Sequence, residues 1–207
     1  MISIIERTSD YVVCIKPIGL SSQDDGMGRV LSEQLGCRVY CVHRLDTAVS
    51  GLMVYALNTK AASFLSSNIT DKEYIAVVEG NQLDDAGVFE DLLFHDSRSN
   101  KTYPVNRMRK GVREAKLTYE KLESVNDLSL VRVHLDTGRT HQIRVQFASR
   151  KMPLLGDGKY GSRINCPIAL YSHRLAFLDP ETKAPVSSES WPEHSYPWNE
   201  FSLTKEK

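Results

Sequence analysis

The chain has 207 residues, 41% of them hydrophobic, an ordinary globular composition that excludes a disordered or fibrous protein. Its 26 Lys and Arg balance 26 Asp and Glu, so a uniformly basic surface is excluded and any polyanion must meet a local patch. Glu6 comes too early for a signal peptide, no apolar run approaches the ~20 residues that cross a bilayer, and Cys14, Cys37, Cys41 and Cys166 are too scattered for a disulfide framework. The expectation is one domain over residues 1–207 in the reducing cytoplasm, with no internal repeat and no membrane contact.

Residues 11–15 form an apolar run stopped by the turn Lys16-Pro17-Ile18-Gly19. Residues 38–42 and 52–57 read as strands on either side of a polar loop, 43–51. Asn58-Thr59 can cap a helix over 60–68, where Ala61, Phe64 and Leu65 share a face. Residues 74–78 are another strand, closed by Gly80-Asn81. Charge is then sorted along the chain. Residues 83–96 carry Asp84, Asp85, Glu90, Asp91 and Asp96 with no Lys or Arg, whereas 98–116 hold seven basic residues against Glu114 alone, either a basic patch or a solvated loop face. Residues 117–122 and 128–135 flank a turn as an antiparallel pair, the second alternating Val131, Val133 and Leu135 with Arg132 and His134. Thr140 can cap a helix over 141–150, stopped by Pro153. Runs of strands with few helices predict an α+β fold, its mixed sheet largely antiparallel and flanked by a few helices.

Three loops can carry chemistry. The first, 43–51, puts His43, Arg44, Asp46 and Ser50 between two strands, where Asp46 can act as nucleophile, base or electrostatic stabiliser. Taken alone, the simpler account has Asp46 capping a turn and Arg44 pairing at the surface. The second, 136–144, ends a strand and starts a helix with Arg139, His141 and Arg144 around its first turn, a setting suited to a phosphate or carboxylate. The third, 153–161, sets Asp157 and Tyr160 among three glycines, with Asp157 expected to hold the turn by Asx-type bonds. Cys37, Cys41 and His43 look like half of a zinc site, but no second ligand pair follows, so no metal is expected. The aromatic residues at 191–201 are expected to pack the C-terminal tail.

Taken together these segments resemble the RluA-type family of RNA pseudouridine synthases. His43-Arg44-Leu45-Asp46 with Ser50-Gly51 is similar to its H-R-L-D-x-x-T-S-G signature, with Val49 where the family usually has Thr. Lys72 to Gly80 resembles K-x-Y-x-A-x-V-x-G, Thr137 to Arg144 resembles T-G-R-x-H-Q-I-R, and Gly156-Asp157-x-x-Tyr160-Gly161 resembles G-D-x-x-Y-G. The resemblance implies the pseudouridine synthase catalytic fold and isomerisation of uridine in transfer or ribosomal RNA, with no cofactor and no metal. It implies Asp46 as nucleophile, Tyr74 against the target base, Arg144 paired with Asp46, and Arg44 holding the displaced nucleotide's surroundings open. Arg139, His141 and the basic stretch 98–116 would contact phosphates. No N-terminal RNA-binding domain fits before Lys16, and a monomer is expected. Two other readings use the same residues: Asp46 and Asp157 as a carboxylate pair hydrolysing an N-glycosidic bond, or RNA binding without catalysis.

Overall fold

Short β-branched and aromatic runs separated by Gly-, Pro- and Asn-bearing turns become strands along most of the chain. The structure, a computed structural model, describes residues 1–80 and 82–202. Asn81, expected with Gly80 to close a strand, lies outside the described residues. In chain order the strands are β1 (Ser3–Arg7), β2 (Tyr11–Lys16), β3 (Tyr40–Cys41), β4 (Ser50–Ala56), β5 (Ile69–Glu79), β6 (Ala86–Asp96), β7 (Lys101–Val105), β8 (Val112–Val125), β9 (Leu128–Leu135), β10 (Leu170–Leu178) and β11 (Pro185–Glu189). The α-helices are α1 (Arg29–Leu35), α2 (Thr59–Ser67) and α3 (Gln142–Ser149). The chain divides into two compact units, Met1–Glu73 with Tyr171–Pro192, and Tyr74–Leu170 with the segment from Glu193.

The first unit is built on the strand order β1-β2-β4-β10, with β3 on β4 and β11 on β10. Among the described residues, β1 with β2, β2 with β4, β3 with β4 and β10 with β11 pair antiparallel, while β4 and β10 run parallel. Alternate residues of three strands, Tyr11 and Val13, Leu52 and Val54, Leu175 and Phe177, point at Ala61 and Leu65 of α2 and form one core. Each such side chain contributes roughly 1.5–3 kcal/mol by leaving water. Asn58 caps α2 as its sequence requires, its side chain accepting from the Ala61 amide at 2.8 Å.

The second unit has the order β5-β9-β8-β6-β7. Helix α3 packs on this sheet through Phe147, whose ring lies 5.1 Å from Phe89 of β6 and 5.7 Å from Tyr119 of β8. The expected pair 117–122 with 128–135 is β8 with β9, and β8 is longer because β6 pairs along its first half. The acidic and basic stretches meet here at one point: Glu90 of β6 lies opposite Lys116 of β8, with a 2.8 Å ion pair between them.

Two boundaries differ from expectation. The strand expected over 38–42 shrinks to β3, because the Val39 amide is taken by Ser32 Oγ of α1 instead of a ladder partner. Helix α3 starts at Gln142 without a cap from Thr140: His141 sits before it at φ +55°, and the Arg139 amide donates to Gln142 Oε1 at 3.0 Å.

Gly51, the second residue of β4, fixes where β4 meets β10. Its φ is +120°, and a Cβ there would stand 2.4 Å from the Ser172 carbonyl oxygen. Gly51→Ala therefore combines backbone strain with a backbone clash. Urea denaturation should show a loss of about 2–4 kcal/mol.

Candidate active site

Asp46 belongs to the first unit, in the loop joining β3 to β4. This loop is tied down from several directions. The Val49 amide donates to the Asp46 carbonyl (2.9 Å), the Gly19 amide to the Thr47 carbonyl (2.8 Å), and Ser22 Oγ to the Leu45 carbonyl (3.0 Å). Val49 is buried, so the absent threonine hydroxyl is replaced by packing, and the loop's hydrogen bonds come from backbone and from Ser22. Asp46 itself is half-buried and Arg44 is exposed.

The strongest tether is one the sequence disguises. Lys16 ends β2, is fully buried, and donates from Nζ to the carbonyls of Pro17 (2.8 Å), Leu20 (2.8 Å) and Thr47 (3.3 Å). Burial pushes its ammonium down to about 8, opposed by the attraction of Asp46. A buried cation thus holds the residue next to Asp46 and shares its field. A Lys before Pro reads from sequence as a turn signal, and nothing local marks it as buried.

His43 is structural. Its Nε2 accepts from the Val54 amide at 3.1 Å, while Nδ1 is enclosed without a hydrogen-bond partner. Burial, with Lys72 adding repulsion, pushes the imidazole down to about 3. It is neutral at physiological pH and offers no charge to a phosphate.

In the second unit the organising group is Arg144, on the first turn of α3. Its Nε donates to Asp157 Oδ2 at 2.7 Å and its Nη2 to Asp157 Oδ1 at 2.8 Å, with the side chains 5% and 0% exposed. Asp157 therefore does not close its own turn through side-chain bonds, as expected from sequence. Its backbone carbonyl accepts from the Tyr160 and Ser162 amides, and its carboxylate is committed to Arg144. Enclosed and held at both oxygens, it has no exposed lone pair to act as a glycosidase acid or nucleophile. The Arg144 guanidinium also lies 5.1 Å from the centre of the Tyr160 ring.

His141, buried, has Nδ1 2.9 Å from the Tyr160 hydroxyl. Arg139 donates from Nε to the Glu114 carbonyl at 2.9 Å, so part of its donor set braces β8. Tyr74, 7% exposed, stands in β5 at the first residue of the second unit. Of the basic stretch, Lys116 is taken by Glu90, while Arg98, Arg107, Arg109, Lys110 and Arg113 are exposed around β7 and its turns. At the C-terminus Trp198 and Phe201 are buried as expected, but Tyr196 is 49% exposed.

Among the described residues no group of His, Cys, Asp and Glu is placed to hold a metal ion, and Cys41 Sγ instead donates to the His43 carbonyl at 2.9 Å. No helix among them is long and apolar enough to cross a membrane. A cavity of about 670 Å³ in the first unit, between α2 and the turns after β1 and β10, is lined by none of the candidate site residues.

Residues 10–149 match the family model described as RNA pseudouridylate synthase. The chain belongs to that family. It is similar to an uncharacterized RNA pseudouridine synthase of Bacillus subtilis, 29% identical over 209 residues that cover 91% of this chain and 68% of the relative. It is likewise similar to the ribosomal large subunit pseudouridine synthase D of Borreliella burgdorferi, 31% identical over 84% of this chain and 60% of that one. Several other curated relatives are matched over 40% to 50% of their length. Among solved structures, human RNA pseudouridylate synthase domain containing 1 shares the fold, with a TM-score of 0.79 at 22% identity over 95% of this chain and 85% of that one. The pseudouridine synthase match includes Lys16, Asp46, Tyr74 and Arg144, whereas Asp157 and Tyr160 lie past its end.

Two measurements check this synthase scaffold. Asp157→Asn leaves the shape but strips the charge that the buried guanidinium needs, and should cost about 3–5 kcal/mol in urea denaturation. The unfolded chain protonates His43 near pH 6.5 and the folded one only near 3, so stability should fall as pH drops through that window. The loss, on the order of 2–4 kcal/mol, should be absent from the acid limb of a His43→Gln stability profile.

Proposed function

We propose that this protein isomerises uridine to pseudouridine within an RNA chain, with Asp46 as the nucleophile. What carries the reading is the Arg144 guanidinium. Asp157 holds it through Nε and Nη2 and fixes its plane, giving a buried, pre-aimed fork. In this reading Arg144 is a catalytic residue alongside Asp46. An aspartate in a loop tethered by Lys16 and Ser22 suits attack on a nucleotide, and family membership supplies the reaction class.

The isomerisation is redox-neutral: the bond from N1 to C1′ breaks, one from C5 to C1′ forms, the C5 proton leaves and N1 gains one. Acid–base groups and a nucleophile suffice, so no cofactor or metal is invoked. A uridine inside a helix must first be extruded, at a cost of a few kcal/mol. Stacking on Tyr74 returns roughly 1–3 kcal/mol of it, and the exposed Arg44, on the Asp46 loop, holds the vacated surroundings open. Arg139 and the exposed arginines around β7 meet phosphates, while His141 serves by positioning its neighbours. These contacts fix register rather than sequence. The RNA is transfer or ribosomal, and relatives named for the large ribosomal subunit favour the latter. We take the enzyme to act in the cytoplasm as a monomer of one catalytic domain.

Asp46→Asn keeps the size and removes the nucleophile. Pseudouridine formation in RNA from cells lacking the gene should fall at least ~10³-fold, with RNA affinity within about 3-fold of wild type. Pseudouridine well above background with this variant would remove Asp46 from the role, and release of free uracil would replace isomerisation by hydrolysis.

A further inference from the structure

One side chain in the second unit connects more elements than its place in a glycine-rich turn suggests. The Tyr160 hydroxyl accepts from the Thr102 amide of β7 at 2.8 Å, and stands 3.3 Å from the Thr102 carbonyl and 2.9 Å from His141 Nδ1. Thr102, itself buried, donates from Oγ1 to the Thr140 carbonyl at 2.8 Å, with His95 Nδ1 of β6 3.1 Å away. The Tyr160 ring carries two cations, Arg144 with its guanidinium carbon 5.1 Å from the ring centre and Lys101 with Nζ at 5.2 Å. The ring also packs against the small cluster of Leu93, Ala115 and Val145. Burial holds the phenol above its ordinary value, so it remains a neutral hydrogen-bonding group.

Thr102 donates its amide outward, as β7 is an edge strand that among the described residues pairs with β6 alone. The Tyr160 hydroxyl thus satisfies an edge amide and pins β7 to the start of α3. The strands so pinned border the exposed arginines 98, 107, 109 and 113. The face of the same ring sets the height of the Arg144 guanidinium, whose edge is fixed by Asp157.

We propose that Tyr160 is a positioning residue for the isomerisation: its hydroxyl anchors the basic hairpin that grips RNA, and its ring seats Arg144. The proposal rests on the isomerase reading above. The two roles reside in different atoms and separate by substitution. Tyr160→Phe removes the hydroxyl and keeps the ring, loosening β7 while Arg144 retains its stacking partner. Tyr160→Leu removes both.

The assay uses total RNA labelled with tritium at uracil C5, from cells lacking the gene, and counts tritium released to water, since the C5 hydrogen leaves when C5 joins C1′. For Tyr160→Phe the expected result is a KM raised about 5-fold with kcat lowered less than about 3-fold. For Tyr160→Leu kcat should fall a further ~100-fold, as a displacement near 1 Å of a catalytic group does, with KM no higher than in the Phe variant. Urea midpoints measured alongside correct for any unfolded fraction. If Tyr160→Leu does not fold, the Phe variant alone decides: a folded Tyr160→Phe with wild-type KM overturns the anchoring role. Folded variants whose kcat and KM follow only the folded fraction overturn the proposal and leave Tyr160 a packing residue. Wild-type protein that releases no tritium overturns the isomerase reading and the proposal together, whereas an active wild type with an unaffected Leu variant overturns the proposal alone.

Discussion

A buried ion pair, Arg144 with Asp157, is the constraint around which the second unit is arranged. Taking both charges out of water costs several kcal/mol per ion, and only a geometry in which each carboxylate oxygen meets its own N–H repays it. A lysine could not supply that geometry, since its ammonium is a point donor without a fork. Because a well-packed apolar pair would stabilise the fold as well or better, stability alone does not account for the ion pair. Its value lies in orientation: a guanidinium locked along one edge is fixed in plane and direction. The surroundings are shaped to the same end. Gly156 lets the chain turn at φ +78° where a Cβ would meet the carbonyls of Cys166 and Pro167 at 2.5 Å, and this delivers Asp157 to its partner.

The first unit applies related physics to a different problem. A loop holding a functional carboxylate between two strands would wander if left to its own turn bonds. Lys16 prevents this by giving its ammonium to carbonyls on both sides of the gap, Pro17 and Leu20 from one segment and Thr47 from the other. The cost appears as a depressed ammonium, and the gain is a rigid frame for Asp46. Met53, Val54 and Tyr55 of β4 are fully buried, so the frame continues into a strand closed to water.

Local signals made part of this legible. The Asn58 cap, the apolar face of α2 and the alternation of β9 sit within a few residues and follow from propensity and period. The charged strand β6 was harder to read. Its Glu90 pairs across the sheet with Lys116 of β8, and a sequence window shows only a polar run. Strands β1, β10 and β11 and helix α1 also went unanticipated. In β10, His173 and Arg174 interrupt the apolar pattern because His173 stacks on Trp191 and Arg174 reaches Asp71. At the site, Asp46, Tyr74, Arg144 and the glycine-rich turn stood out through motif resemblance. The duties of Lys16, Asp157 and Tyr160 depend on partners 13 to 58 residues away and become visible only in the fold.

The two units differ in how their strands are threaded, and this has a consequence for biogenesis. From β6 to β9 each strand follows its neighbour closely in the chain, so this meander can assemble while the ribosome is still extending the polypeptide. Strand β4 instead waits for β10, and the bond from Ser172 Oγ to the Leu52 carbonyl closes a span of 120 residues. The nascent protein therefore acquires its guanidinium bearer early, while the scaffold beneath Asp46 stays unfinished until translation has passed Tyr171.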